Sequence, residues 1–68
     1  MNEPKPGEVW RHHNGQEYEV LLITNEHTSR PAQYPVTVVY KNVRIGSIWS
    51  RPLHDWHRSM TRKGEGEV

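Results

Sequence analysis

The chain has no cysteine and no phenylalanine. The first absence rules out disulfide stapling and gives no reason to expect an oxidising compartment. The second leaves three Trp and three Tyr as the only large rings for a core, each able to bury roughly 150–250 Å². Long hydrophobic runs are missing too. Val20-Leu21-Leu22-Ile23 is the longest, far short of the about 20 residues that span a bilayer. Met1-Asn2-Glu3-Pro4-Lys5-Pro6 has neither a basic n-region nor an apolar h-region, so no secretory signal is read there. No membrane association is expected, and a cytoplasmic location follows by default. Sixty-eight residues allow one domain and one small core, burying only about 60% of the unfolded surface.

A strong net charge is also lacking: the sum is +1. Its distribution is uneven. Residues 1–40 carry Lys5, Arg11 and Arg30 against Glu3, Glu8, Glu17, Glu19 and Glu26. Residues 41–63 carry Lys41, Arg44, Arg51, Arg58, Arg62 and Lys63 against Asp55 alone. Such a local excess either builds a positive face or is balanced in space by the N-terminal glutamates.

What is present reads as short strands. Residues 1–6 are a Pro-limited lead-in, 7–62 the domain, and 63–68 a polar, Gly-rich tail expected to be disordered. Glu8–His12 is a first strand, followed by Asn14-Gly15, a strong hairpin signal. Gln16–Thr24 alternates, with Tyr18, Val20 and Leu22 facing one way and Glu17 and Glu19 the other. Leu21 and Ile23 break that alternation, which predicts cover on both faces at the strand's end. Asn25–Pro35 has no periodicity and reads as a long loop. Val36–Tyr40 is β-branched and aromatic. A turn follows over Lys41–Gly46, where Asn42 or Gly46 takes positive φ. Gly46–Ser50 is a fourth strand ended by Pro52, and Leu53–Met60 is one or two helical turns with Leu53, Trp56 and Met60 on one face. Turn signals at about ten-residue spacing predict an all-β fold, a small SH3-like antiparallel barrel of four to five strands with a short C-terminal helical turn. Closure of such a barrel would remove its sheet edges.

Three segments carry a family resemblance. Trp10-Arg11-His12-His13-Asn14-Gly15-Gln16-Glu17-Tyr18-Glu19-Val20-Leu21, then Val38-Val39-Tyr40, then Ile48-Trp49-Ser50-Arg51-Pro52-Leu53 resemble a family of short bacterial and phage domains of unknown function. Its pattern is aromatic-Arg-His-x-x-Gly-x-x-Tyr-x-Val-Leu, Val-Val-Tyr and Trp-x-Arg-Pro-Leu, in that order, and the match spans residues 7–56. The resemblance implies an SH3-type barrel and supplies no activity or catalytic residue. The chain departs from the pattern at Tyr34-Pro35-Val36-Thr37, where the family has a leucine-led phrase, and at Trp56, near which the family commonly has Phe.

Candidate chemistry is sparse. His54 and His57 share a helical face at a spacing metal sites use, and His12 or His13 offers a further ligand if the first hairpin packs nearby. With no Cys and only Asp55 close by, a metal-binding domain is the third-ranked reading and no cofactor is expected. Ser50, Ser59, His54 and Asp55 are catalytic residue types without catalytic spacing, so no enzyme is expected. A binding module leads. Arg44, Arg51, Arg58, Arg62 and Lys63 are candidates for phosphates, and Tyr34, Tyr40, Trp49 and Trp56 for stacking on bases. A pI near 8.2 is low for a nucleic-acid domain. The residues Arg44, Trp49, Arg51, Trp56, Arg58, Arg62 and Tyr34 equally suit a protein partner, from host or phage, because Trp, Tyr and Arg dominate hot spots. Against each stands a structural role: the Trp and Tyr rings fill a core that has no Phe, and Arg51 pairs with Glu17 or Glu19. Oligomeric state is left open.

Overall fold

A computed structural model describes residues 3–63; the expected disorder of the tail beyond Lys63 lies outside the described residues. Five strands form one antiparallel sheet: β1 (Val9–His12), β2 (Glu17–Thr24), β3 (Thr37–Asn42), β4 (Ile48–Pro52) and β5 (Met60–Arg62). A 3-10 turn, Leu53–Arg58, joins β4 to β5. The strand order is β4-β3-β2-β1-β5, so the last strand returns beside the first and the sheet wraps one core. The fold is all-β and barrel-like, as the turn spacing implies. The helical segment is shorter than expected, because Met60 belongs to β5 and pairs with His12.

Each turn has a local cause. The β1–β2 connection is the four-residue loop 13–16; the His12 amide donates to the Gln16 carbonyl, the Gly15 amide donates to the His12 carbonyl, and Gly15 sits at φ +91°. The Asn14 side chain accepts from the Gln16 amide at 2.8 Å, so Asn-Gly works here as an Asx turn ending in a left-handed glycine. In the β3–β4 turn, Gly46 takes positive φ (+77°) and Asn42 does not. Asn42 instead stays buried, and its Oδ1 accepts from the Arg44 and Ile45 amides while its Nδ2 donates to Gln16.

The core consists of Trp10, Val20, Val38, Tyr40, Trp56 and Met60, with Tyr18, Ile23 and Leu53 packed against it. Aromatic rings form a chain of edge-to-face contacts. Trp10 meets Trp56 at 5.6 Å, Trp56 meets Tyr40 at 5.0 Å, and Tyr40 meets Tyr18 at 5.2 Å. Such pairs add about 0.5–1.5 kcal/mol each beyond area burial, so indole and phenol supply what phenylalanine does elsewhere.

Leu22 corrects the expected pattern. The β2–β3 register shifts between Val20 and Leu22, so Leu21 is an extra residue that reverses the alternation after it. Leu22 therefore points outward and is 48% exposed, while Ile23 packs on the core opposite Val38. Leu22→Ala should change stability by no more than about 0.5 kcal/mol, whereas Ile23→Ala, at a half-buried position, should cost about 2 kcal/mol, the low end for such a truncation. Urea midpoints of the two variants check the inversion.

The barrel is not closed by hydrogen bonds, because β4 and β5 each have one paired neighbour. The expected removal of sheet edges therefore does not occur.

Candidate functional site

β4 is the edge that carries the exposed aromatic. Its pairing with β3 runs Val38 to Arg51, Val39 to Ser50, Tyr40 to Trp49 and Lys41 to Ile48. The same register extends to two further bonds, Asn42 amide to Ser47 carbonyl and Leu53 amide to Val36 carbonyl. In an antiparallel ladder the bonded pairs alternate. Trp49 and Arg51 thus spend their backbone groups on β3, while Ile48, Ser50 and Pro52 turn theirs to the open side. Pro52 has no N–H to leave unpaired, and so tolerates this edge position. The fourth strand accordingly runs through Pro52.

Exposed apolar groups cluster on this edge and the turn before it. Val43 is 46% exposed, Ile45 71%, Ile48 59% and Trp49 54%. The Trp49 indole N–H donates to Ser47 Oγ at 2.8 Å, which fixes the ring beside the strand. No sequence pattern marked Val43, Ile45 or Ile48, since only the strand order makes β4 an edge.

The basic residues of 41–63 are mostly neutralised. Lys41 pairs with Glu19 at 3.9 Å, Arg58 with Asp55 at 3.0 Å, Arg62 with Glu8 at 3.7 Å and Lys63 with Glu17 at 3.3 Å. Each such surface pair is worth only about 0–1 kcal/mol, but together they offset most of the local excess of charge. Arg44 and Arg51 have no carboxylate partner among the described residues. Arg51 does not reach Glu17 or Glu19: Glu17 holds Arg11 and Lys63, and Glu19 holds Lys41. Its guanidinium instead sits beside the Tyr40 hydroxyl, and its Nη1 is buried without a hydrogen-bond partner. Burial raises the Tyr40 phenol above its ordinary range, with Arg51 opposing that shift.

The remaining sequence candidates scatter. Trp56 is 0% exposed, so it fills the core and presents no contact surface; its expected place at a binding site is corrected. Tyr34 is exposed on the β2–β3 loop, at the opposite end of β3 from Arg44. The structure therefore gathers Arg44, Trp49 and Arg51 on one edge and leaves Tyr34, Arg58 and Arg62 outside it. A groove of about 450 Å³, lined by Pro31, Pro35, Val36, Leu53 and His57, lies at the other end of the fold.

The histidines do not converge. His57 packs edge-on against Trp10 at 5.6 Å, while His12 lies against His13 at 4.2 Å. Among the described residues, no three His, Cys, Asp or Glu side chains are placed to hold a metal. His12 accepts a hydrogen bond from the Asn14 amide at Nδ1, which requires that nitrogen unprotonated. Burial, then His13 and Arg51, hold its pKa below 6.5. The unfolded chain therefore takes up this proton first. His12 contributes stability above the ordinary histidine range, and that contribution is lost as pH falls through its depressed folded value. His12→Gln should flatten the decline in the urea midpoint between about pH 7 and pH 5.

No helix among the described residues is long and apolar enough to cross a membrane. Neither the curated proteins nor the solved structures contain a match to this chain. A family model matches over residues 8–67, and on that extent the chain belongs to DUF1653, a family of proteins of unknown function.

Proposed function

We propose that this chain is a non-catalytic protein-binding module on an SH3-like barrel, docking partners through the β4 edge and the β3–β4 turn. The carrying observation is the coincidence of an open strand edge with Val43, Ile45, Ile48 and Trp49 exposed along it. Aromatic and apolar anchors of this kind are what interface hot spots are made of, and an exposed patch on a small domain marks an interaction site. An edge with free N–H and C=O groups also suits addition of an extended segment. Regulatory work as a phage or mobile-element accessory protein, in the cytoplasm, fits the family resemblance.

Nucleic-acid binding is the second reading, and the ion pairs weigh against it. Four of the six cations in residues 41–63 are paired with carboxylates, which leaves Arg44 and Arg51. Two cations are a short track for a backbone whose affinity grows with each neutralised phosphate.

Affinity capture from a host lysate tests the choice, with washes at low and high salt and a nuclease-treated control. The expected result is a stoichiometric protein retained under all conditions by the wild type and lost by Trp49→Ser. Recovery abolished by nuclease or salt would shift the assignment to nucleic acid.

A further inference from the structure

We infer that the β4 edge pairs with the β4 edge of a second copy of this chain, across a two-fold axis at Trp49. The inference rests on the docking role assigned to this edge and names its partner.

The register is self-complementary. The outward backbone groups of β4 that can both donate and accept belong to Ile48 and Ser50, which flank Trp49 symmetrically. An antiparallel copy centred on Trp49 sets Ile48 of each chain against Ser50 of the other. These become bonded pairs, so all four N–H and all four C=O groups on the two residues in both chains are engaged. Trp49 then faces its own copy in the non-bonded position, where side chains approach most closely and aromatic cross-strand pairs contribute most. The flanks agree with this register. Pro52, which cannot donate, falls opposite Gly46, whose missing side chain leaves room for the ring. Arg51 falls opposite Ser47, so no like charges are directly opposed. The two Arg51 positions are separated along the strands by more than the about 8 Å screening length at physiological salt.

The brevity of the edge favours a copy over a longer strand. A longer segment finds no further amide donor beyond Ile48 and Ser50, because Pro52 has no N–H and the Gly46 amide already bonds the Asn42 carbonyl, whereas a second copy supplies the matching pair of residues in full. Each copy brings Ile48 and Trp49, 59% and 54% exposed, so the interface sits at or below the small end of the about 1,200–2,000 Å² class. A dissociable, micromolar dimer with an isologous contact is the expected product.

Sedimentation equilibrium of the full chain from about 1 to 500 µM, a range that brackets micromolar affinity, tests this. The wild type should move from one to two chains per particle. Trp49→Thr and Ser50→Pro should remain monomeric while keeping the wild-type circular dichroism spectrum. Ser50→Pro removes an outward N–H at an edge position that tolerates proline, and Trp49→Thr keeps a strand-forming residue, so the pair separates loss of pairing from loss of fold. A wild type that stays monomeric at the highest concentration overturns the inference, as do folded variants that dimerise like the wild type. Monomeric wild type with Trp49-dependent capture of another protein removes self-pairing alone. Monomeric wild type with capture indifferent to Trp49 removes the docking role as well.

Discussion

Trp56→Ala is expected to unfold the domain at room temperature. Trp56 is fully buried and touches Trp10 and Tyr40 edge-to-face at 5.6 and 5.0 Å. Removing a buried Trp side chain costs about 3–5 kcal/mol. The core of a chain of only 68 residues rarely supplies more than about 3–5 kcal/mol, so the loss takes most or all of it. Met60, one residue beyond the Ser59 C-cap of the 3-10 turn, lies in the same buried cluster as Trp56, so β5 loses packing as well. Trp56→Phe should behave differently. The indole N–H is buried with no hydrogen-bond partner, and removing an unpaired donor returns about 1–3 kcal/mol. That gain offsets much of the lost volume, and a folded protein within about 1.5 kcal/mol of the wild type is expected. Urea unfolding followed by far-ultraviolet circular dichroism separates the two outcomes. A folded, cooperative Trp56→Ala domain would contradict this account of the core.

Asn42→Leu is expected to cost about 2–3 kcal/mol and to loosen the docking edge. Three side-chain bonds are lost: two accepted from the Arg44 and Ile45 amides and one donated to Gln16. Each is worth about 0.5–1.5 kcal/mol net. Because the first two hold the turn that carries Val43 and Ile45 into β4, the damage reaches the exposed strip. Asn42→Asp keeps both acceptor bonds but places a charge at a 5% exposed position, so it should retain the turn at reduced stability. Amide hydrogen exchange distinguishes them: protection at Arg44 and Ile45 should fall in Asn42→Leu and persist in Asn42→Asp.

Local signals in the sequence located most of the fold. Asn14-Gly15 and the Val38-Val39-Tyr40 run sit where turn chemistry and β-propensity put them, whereas the fourth strand, expected over Gly46–Ser50, lies two residues later at Ile48–Pro52. The lack of Phe pointed correctly to Trp10, Tyr40 and Trp56 as core, with Tyr18 packed against it, and wrongly to Trp49, which is 54% exposed. What escaped was non-local. A one-residue bulge at Leu21 has no composition of its own, yet it turns Leu22 outward and Ile23 inward. The fifth strand is three residues long and read as the end of a helix, because Leu53, Trp56 and Met60 have helical spacing whether or not a helix forms. The site was half legible. Trp49, Arg51 and Arg44 stood out as residue types, but their grouping depends on β4 lying at the sheet's end. The basic excess of 41–63 suggested a positive face that the tertiary pairs with Glu8, Glu17 and Glu19 largely cancel.

The most direct test of the docking edge is a two-dimensional amide spectrum of the isotopically labelled chain, recorded with the captured partner and over a rising protein concentration. The account predicts shifts confined to residues 43–51, with the Trp49 indole N–H among the largest and the Ile48 and Ser50 amides gaining exchange protection. A competing partner and self-pairing would both perturb this same set. Shifts centred instead on residues 31–36 and 53–57, around the proline-lined groove, with Trp49 unchanged, would contradict it.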